Sequence, residues 1–435
     1  MTEAQIGISG IAGLLALIAL RVPIAFAMIS VGAVGLTVLI GFGPMTGLLR
    51  SLPYEFAASW ALSSLPTFLV MGYVAYHAQL TQGLFRAAKL WLSALPGGLA
   101  IATVFGAAAF SALSGSSIAC AAAMGKIAVP EMRRAGYSVR LATGTVAAAG
   151  TLGPLIPPSI LMILYGIFIQ QSISKLFLAG LAVGLLTATA YVITILLWAT
   201  LRPAAAPRLA EKASLQERLA SLRETVPSII LVVLVFGGLF GGLFTASEAG
   251  ALGAAFAIII GFLRGSLNWT TLRLALEEAL STTCVILLIA IGANLLVRFL
   301  AVSGTDQAIS EWVIAVKPTQ LGFFAIITVL YMILGMFLEP VGIMLLTIPI
   351  VYPVLVTLDI NLIWFGAILV KFLEIGMLTP PVGLNVFVIK SVVGDIADTW
   401  TIFKGVAAFI VADMFVIGAT MAWPDMVLYF VRLVE

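Results

Sequence analysis

Long apolar runs, without the alternation of a half-buried strand, fill nearly the whole of this chain. Ile229 to Phe236 and Ala254 to Phe262 are solidly apolar, which excludes the every-second-residue polarity of a lipid-facing barrel and predicts helices. A span needs about 20 apolar residues at helical rise, so the chain has room for roughly ten to twelve of them. Two runs are interrupted in the same way, by Gly150-Thr151-Leu152-Gly153-Pro154-Leu155-Ile156-Pro157-Pro158 and by Gly376-Met377-Leu378-Thr379-Pro380-Pro381-Val382-Gly383-Leu384. Glycine and proline weaken or break a helix interior, and non-helical backbone at membrane depth is tolerated only where protein or a water-filled cavity satisfies it. These are therefore expected to be broken membrane helices, over about 141–165 and 363–390.

One charged stretch, Arg202 to Glu224, divides the chain. Arg202, Arg208, Lys212, Arg218 and Arg223 stand there against Glu211, Glu217 and Glu224. Leu215, Leu219 and Leu222 recur at helical spacing, which predicts an amphipathic surface helix. Its basic surplus places this 202–228 linker in the cytoplasm. On either side, landmarks repeat in one order, as an internal duplication predicts. Leu95-Pro96-Gly97-Gly98 answers to Lys317-Pro318-Thr319-Gln320, Ser114-Gly115-Ser116-Ser117 to Glu339-Pro340-Val341-Gly342, and Ile127-Ala128-Val129-Pro130 to Ile350-Val351-Tyr352-Pro353; the two Gly/Pro breaks follow. The expected organisation is a first membrane repeat over 1–201 with a hairpin at about 100–131, and a second over 229–435 with a hairpin at about 322–356. An odd number of crossings per half makes the second inverted, the plan of many secondary transporters, in which paired broken helices mark the ion and substrate site.

Composition narrows the class. The chain is 62% hydrophobic and 9% charged, with a mean hydropathy of +1.18, far from a soluble protein, where about a quarter of residues are charged. It is expected to be an all-α polytopic membrane protein. A net charge of +3, small and scattered, gives no basis for a nucleic-acid partner. The first run, Ile6 to Leu20, follows Glu3 and not a basic stretch, and Arg21-Val22-Pro23 is no cleavage site; it is expected to be a retained helix. Cys120 and Cys284 lie in separate apolar segments without metal-ligand spacing, and each is expected to be a lone buried thiol.

The segment Phe105 to Pro130 clusters Ser111, Ser114, Gly115, Ser116 and Ser117 at its centre, the composition of a re-entrant hairpin tip. Hydroxyls and freed carbonyls are hard neutral ligands suited to a weakly held monovalent cation such as Na⁺. Helix N-termini at the same point offer N–H groups to an anionic substrate. Small-residue helix packing is the competing reading of this cluster. The corresponding tip in the second half carries Glu339, an ionisable residue within a span; binding a cation indirectly, carrying a proton and capping a hairpin helix are all open to it. Thr379 offers a hydroxyl at the second break, and Asn385 lies beyond it, able to face a cavity.

Other charges look structural. Lys371 and Glu374 are three apart, and so are expected to pair on one helix face. Glu248 follows Thr245 and Ser247 as an interface or capping carboxylate, Arg298 and Lys126 snorkel to a surface, Asp413 hydrogen-bonds between helices, and His77 ends a helix. No H-E-x-x-H, Walker A loop or nucleophile elbow is present, so an enzyme is not expected and transport must draw on an ion gradient or another chain.

The combination of Arg21-Val22-Pro23-Ile24-Ala25-Phe26-Ala27, Leu95 to Ala100, Ser114 to Ser117 with Pro130-Glu131-Met132, Gly150 to Pro158 and Gly376 to Gly383 resembles the large membrane (M) subunit of tripartite ATP-independent periplasmic (TRAP) transporters, from about Arg21 to past Gly405. One departure is Ala61-Leu62-Ser63-Ser64-Leu65-Pro66-Thr67, where many members are more uniformly apolar. The resemblance implies Na⁺-coupled uptake of an organic anion, a C4-dicarboxylate or sialic acid in many members, by an elevator mechanism in the bacterial inner membrane. It implies no organic cofactor. It implies two partners, a small four-helix membrane subunit and a periplasmic binding protein; because the chain opens almost directly on the first helix, the small subunit is expected to be a separate polypeptide. Carried over by position, one Na⁺ site involves Ser114, Ser116, Ser117, Gly150 and Thr151, and the other Gly335, Glu339, Met377 and Thr379, largely through backbone carbonyls. The tips and breaks flank the substrate, which gives Ser114, Gly115, Pro154, Pro157, Pro380, Gly383 and Asn385 as its expected lining. The rival reading is a self-sufficient Na⁺- or H⁺-coupled anion transporter of the same architecture. A channel is disfavoured by the absence of a repeated selectivity filter.

Overall fold

A computed structural model describes residues 2–207, 214–316 and 319–434. Arg208, Glu211 and Lys212 of the linker, and Lys317 and Pro318 of one repeated landmark, lie outside the described residues. Within them the chain is helical throughout, with no strand. In chain order the helices are α1 (Glu3–Ala19), α2 (Ile24–Ile40), α3 (Phe42–Ala57), α4 (Ser64–His77) and α5 (Gln82–Leu92), then α6 (Gly98–Ser114), α7 (Ser117–Arg134), α8 (Val139–Gly150), α9 (Ile160–Ile169) and α10 (Ile173–Leu201). The second half runs α11 (Leu215–Phe240), α12 (Ala246–Leu263), α13 (Trp269–Val302), α14 (Thr305–Val316), α15 (Gln320–Gly335), α16 (Pro340–Thr357), α17 (Leu362–Gly376), α18 (Leu384–Val393), α19 (Thr399–Ala422) and α20 (Pro424–Arg432).

Six of these, α10, α11, α12, α13, α16 and α19, are long and apolar enough to cross a membrane, and α3 with the bent continuation into α4 makes a seventh. That is fewer than the ten to twelve spans expected from apolar length. The reason is physical: much of the apolar sequence is spent on hairpin arms and half-helices of 10 to 17 residues, which hydropathy does not distinguish from spans because their surroundings are equally dry.

The halves share an element order from α6 to α10 and from α15 to α19: two arms joined at a tip, a helix, a Gly/Pro break, a short helix and a long helix. They also pack reciprocally. The return arm α7 of the first hairpin lies against the post-break helix α18 of the second half, and the return arm α16 of the second hairpin lies against α9 of the first. Around them α2, α4, α12 and α13 pack on one another. Two buried apolar clusters result. One is centred on α6 to α8 with α19, the other runs from α2 and α4 through α13 to α16 and α17.

The charged linker does not form a separate element ahead of the second repeat. From Leu215 it is the start of the 26-residue α11, which continues past 228 without a break. Leu215, Leu219 and Leu222 are exposed, while Ser221, Thr225 and Ser228 are buried. Ser228 donates to the Leu80 carbonyl at 2.6 Å, and Arg86 of α5 pairs with Glu224 at 3.1 Å. With lipid as the outer medium, polar groups gain more by finding protein partners than apolar ones do by being covered.

Candidate functional site

The first hairpin turns where serine and glycine replace large side chains. Helix α6 closes on Gly115, whose φ of +61° lies in the left-handed region that glycine enters without steric cost, and whose N–H donates to the Ser111 carbonyl at 3.0 Å. Ser116 is extended and caps α7, its hydroxyl accepting from the Ala119 N–H at 3.4 Å. This tip rests on the first break: a Cβ on Gly115 would stand 2.4 Å from the Pro158 carbonyl oxygen. The break is stapled by short turns, with the N–H groups of Thr151, Leu152 and Gly153 donating to Ala148, Ala149 and Gly150. It restarts as α9 at Ser159, whose hydroxyl accepts from the Met162 N–H at 3.2 Å.

The second break is built alike. Leu378 and Thr379 donate from the backbone to Ile375 and Gly376, the Thr379 hydroxyl donates to the Ile375 carbonyl at 2.8 Å, and Gly383 opens α18. The hairpin α15–α16 meets it at Gly335 and Gly376, where a Cβ on either would come within 2.7 Å of the other's Cα. Glu339 caps α16 by position only; its side chain makes no capping bond and is exposed. Pro380 and Pro381 are exposed, whereas residues 151–159 are all buried.

Of the residues assigned to the first expected cation site, Ser114, Ser116 and Ser117 share the tip, and Gly150 packs beside Ser117, its added Cβ meeting the Ser117 carbonyl oxygen at 3.2 Å. The buried Ser114 hydroxyl has no partner. Thr151 is engaged elsewhere, donating to the Ala148 carbonyl at 2.7 Å and bonding the Tyr191 hydroxyl at 2.9 Å. The two residue sets do not stay apart: Ser117 Oγ lies 3.3 Å from Glu374 Oε1 and 3.4 Å from Met377 Sδ. Ser114 and Ser116 border a cavity of about 180 Å³ between the tip, α4 and α13, closed on the far side by Tyr73, Tyr76 and Thr282. Of the residues expected to line a substrate, Ser114 borders this cavity, while Gly115, Pro154, Pro157, Pro380, Gly383 and Asn385 do not. The Asn385 side chain is buried with neither its oxygen nor its nitrogen partnered. Larger cavities open near Glu55 and Asn294 and along the outer faces of α1 with α2 and of α10 with α19, away from both tips.

Behind the first break lies a buried polar chain. Tyr191 of α10 passes the Thr151 hydroxyl bond on to Asp413 Oδ2 at 2.9 Å, and Lys371 Nζ donates to Asp413 Oδ1. The expected Lys371–Glu374 pair is therefore corrected: Lys371 pairs with Asp413 of α19, because a helix crossing brings that carboxylate closer than one turn along α17 does. Asp413 bonds between helices as expected. Tyr191 was not singled out in the sequence; the available signal was a hydroxyl-bearing ring in the middle of an apolar run, which needs a partner when buried. Glu248 caps α12 with Thr245, and His77 ends α4, 3.0 Å from Glu278. Cys120 is buried, but Cys284 is exposed, a correction explained by the outward, lipid-facing side of α13. Among the described residues no three His, Cys, Asp or Glu side chains gather to hold a metal ion.

The family model described as the DctM component of the tripartite ATP-independent periplasmic transporter matches residues 11–426. The chain is similar to the C4-dicarboxylate TRAP transporter large permease protein DctM of Pseudomonas aeruginosa, 35% identical over 370 residues, 84% of this chain and 85% of that one. It is also similar to the sialic acid TRAP transporter large permease protein SiaM of Vibrio cholerae, 30% identical over 434 residues and 97% of each chain. Among solved structures, the Alcanivorax borkumensis YdaH transporter shares the fold, with a TM-score of 0.64 at 13% identity over 95% of this chain and 99% of that one.

Proposed function

This chain belongs to the tripartite ATP-independent periplasmic transporter family as its DctM component, and from that premise we propose that it imports a carboxylate-bearing organic solute coupled to Na⁺. As a large permease subunit it is a multi-pass protein of the bacterial inner membrane and not an enzyme. The solute is an anion of the kind named in its relatives, a C4-dicarboxylate or sialic acid, delivered by a periplasmic binding protein. A small four-helix membrane subunit completes the transporter.

One observation carries the reading. Ser114 borders a cavity at a hairpin tip, and its buried hydroxyl has no partner. A buried hydroxyl is normally satisfied, and an oxygen left open beside a cavity suits a ligand that arrives and leaves. Ser116 and the Ser117, Gly150 and Thr151 carbonyls extend a first Na⁺ position, and Gly335, Glu339, Met377 and Thr379 form the second. The start of α7 borders the same cavity through Ser116 and Ala119, and the N–H groups of a helix N-terminus suit the solute's carboxylate. Reciprocal packing of each return arm on the other half's post-break helix supports two inverted repeats. Alternating access then follows as an elevator, with the hairpins and broken helices sliding as one body along α2, α4, α12 and α13.

Proteoliposomes holding the full chain with its small subunit, supplied with binding protein and solute, test this. Uptake that saturates with solute and requires an inward Na⁺ gradient is expected. Uptake indifferent to Na⁺ refutes the coupling, and equal uptake by the lone chain without binding protein favours the self-sufficient transporter.

A further inference from the structure

Three ionisable side chains are buried where the two halves meet: Glu374 and Asp413 at 0% exposure and Lys371 at 1%. Lys371 is committed to Asp413, which also accepts from Tyr191. Glu374 receives only the Ser117 hydroxyl on Oε1, at 3.3 Å, and its Oε2 has neither solvent nor partner. With both carboxylates ionised, the one ammonium leaves one negative charge uncompensated. Buried charges are paired or hold metal ions, and Oε2 of this carboxylate is one of the few buried side-chain polar atoms without a partner among the described residues.

We propose that Glu374, with the Ser117 hydroxyl, holds a monovalent cation of its own between the first hairpin and the second broken helix. This rests on the Na⁺-coupled reading and adds to it an anionic ligand contributed by the other half. Charge selects the class: a single positive charge neutralises the group, whereas a divalent ion overshoots it. The donors are hard oxygens, which suit Na⁺. The Met377 sulfur, 3.4 Å from Ser117 Oγ, closes one side without supplying a good ligand for a hard ion. Because Ser117 starts α7 and Glu374 belongs to α17, an ion held by both ties the hairpin to the broken helix. Cation binding then makes one rigid body of two elements that are 257 residues apart, which is what a carrier moving as a unit requires.

The test counts ions on the full chain, purified with its small subunit, by equilibrium binding of radioactive Na⁺ and by Na⁺-dependent thermal stabilisation. Glu374→Gln is expected to bind one fewer Na⁺ than wild type, with a shallower stabilisation curve. Glu374→Asp is expected to keep the count and lose affinity by about tenfold, as for a weakened bond to a charged group. Wild-type count and affinity in Glu374→Gln overturn the proposal. So does a wild type in which acidification without Na⁺ reproduces the full stabilisation, which makes the occupant a proton. A wild type that binds no Na⁺ sinks the coupled reading itself, a distinguishable result. If Glu374→Gln does not fold, hydrophobic carbodiimide modification of wild-type Glu374, mapped by mass spectrometry, decides. Protection by Na⁺ supports the site, and labelling that Na⁺ does not change overturns it.

Discussion

At the scale of single residues, the interior is organised by one ammonium and two carboxylates. Lys371 and Asp413 face each other inside the protein with Tyr191 as a third partner. Breaking a buried pair strands a charge, which costs about 3–5 kcal/mol, while replacing both partners by apolar groups is near neutral. Lys371→Met or Asp413→Leu alone is therefore expected to lower the unfolding temperature of the detergent-purified protein sharply. The double variant is expected to recover most of the loss. Additive losses in a double-mutant cycle show that the two groups are not coupled. Helical spacing pointed to Glu374 as the lysine's partner because i,i+3 neighbours are the only contacts a single sequence can count. Asp413 lies on another helix, out of reach of that reasoning.

At the scale of elements, the hairpins and breaks work because backbones approach without side chains between them. Gly335 and Gly376 bring α15 against α17 so closely that a methyl group on either would overlap the other's backbone. Overpacking of this kind costs typically 1–3 kcal/mol. Gly376→Ala is expected to destabilise the protein by about that much, read as an earlier melting midpoint, and to depress uptake beyond what lower protein yield explains. Unchanged melting argues that α15 sits off the break. The Gly/Pro breaks and the serine-rich tip were legible in the chain, since their cause is local: removed hydrogen-bond donors and missing side chains. The division of apolar sequence into spans and arms was not legible, because both are dry.

At the scale of the whole molecule, the proposed elevator requires the hairpin tips to move past helices that stay. A contact that such a movement would cross is Gly72 of α4 against the first tip, where an added Cβ would lie 2.9 Å from the Leu113 carbonyl oxygen and 3.1 Å from the Ser114 Cα. Gly72→Val places a bump on that track. Uptake is expected to fall by about tenfold, the equivalent of an overpacking cost of 1–3 kcal/mol. Full uptake by Gly72→Val argues that the tip does not slide along α4.

From its sequence alone, this chain is a helical membrane protein with two broken helices, and its motifs already resembled the family to which it belongs. Those conclusions depend on local terms, since lipid forces every backbone polar group to be satisfied within its own segment and marks each exception with glycine and proline. Tertiary structure decided what depends on distance between remote residues. It set Asp413 beside Lys371, brought the Ser117 hydroxyl to Glu374, turned the leucines of α11 outward and left Cys284 exposed. Helix crossings choose such partners, and no periodicity along one helix records where another helix crosses it.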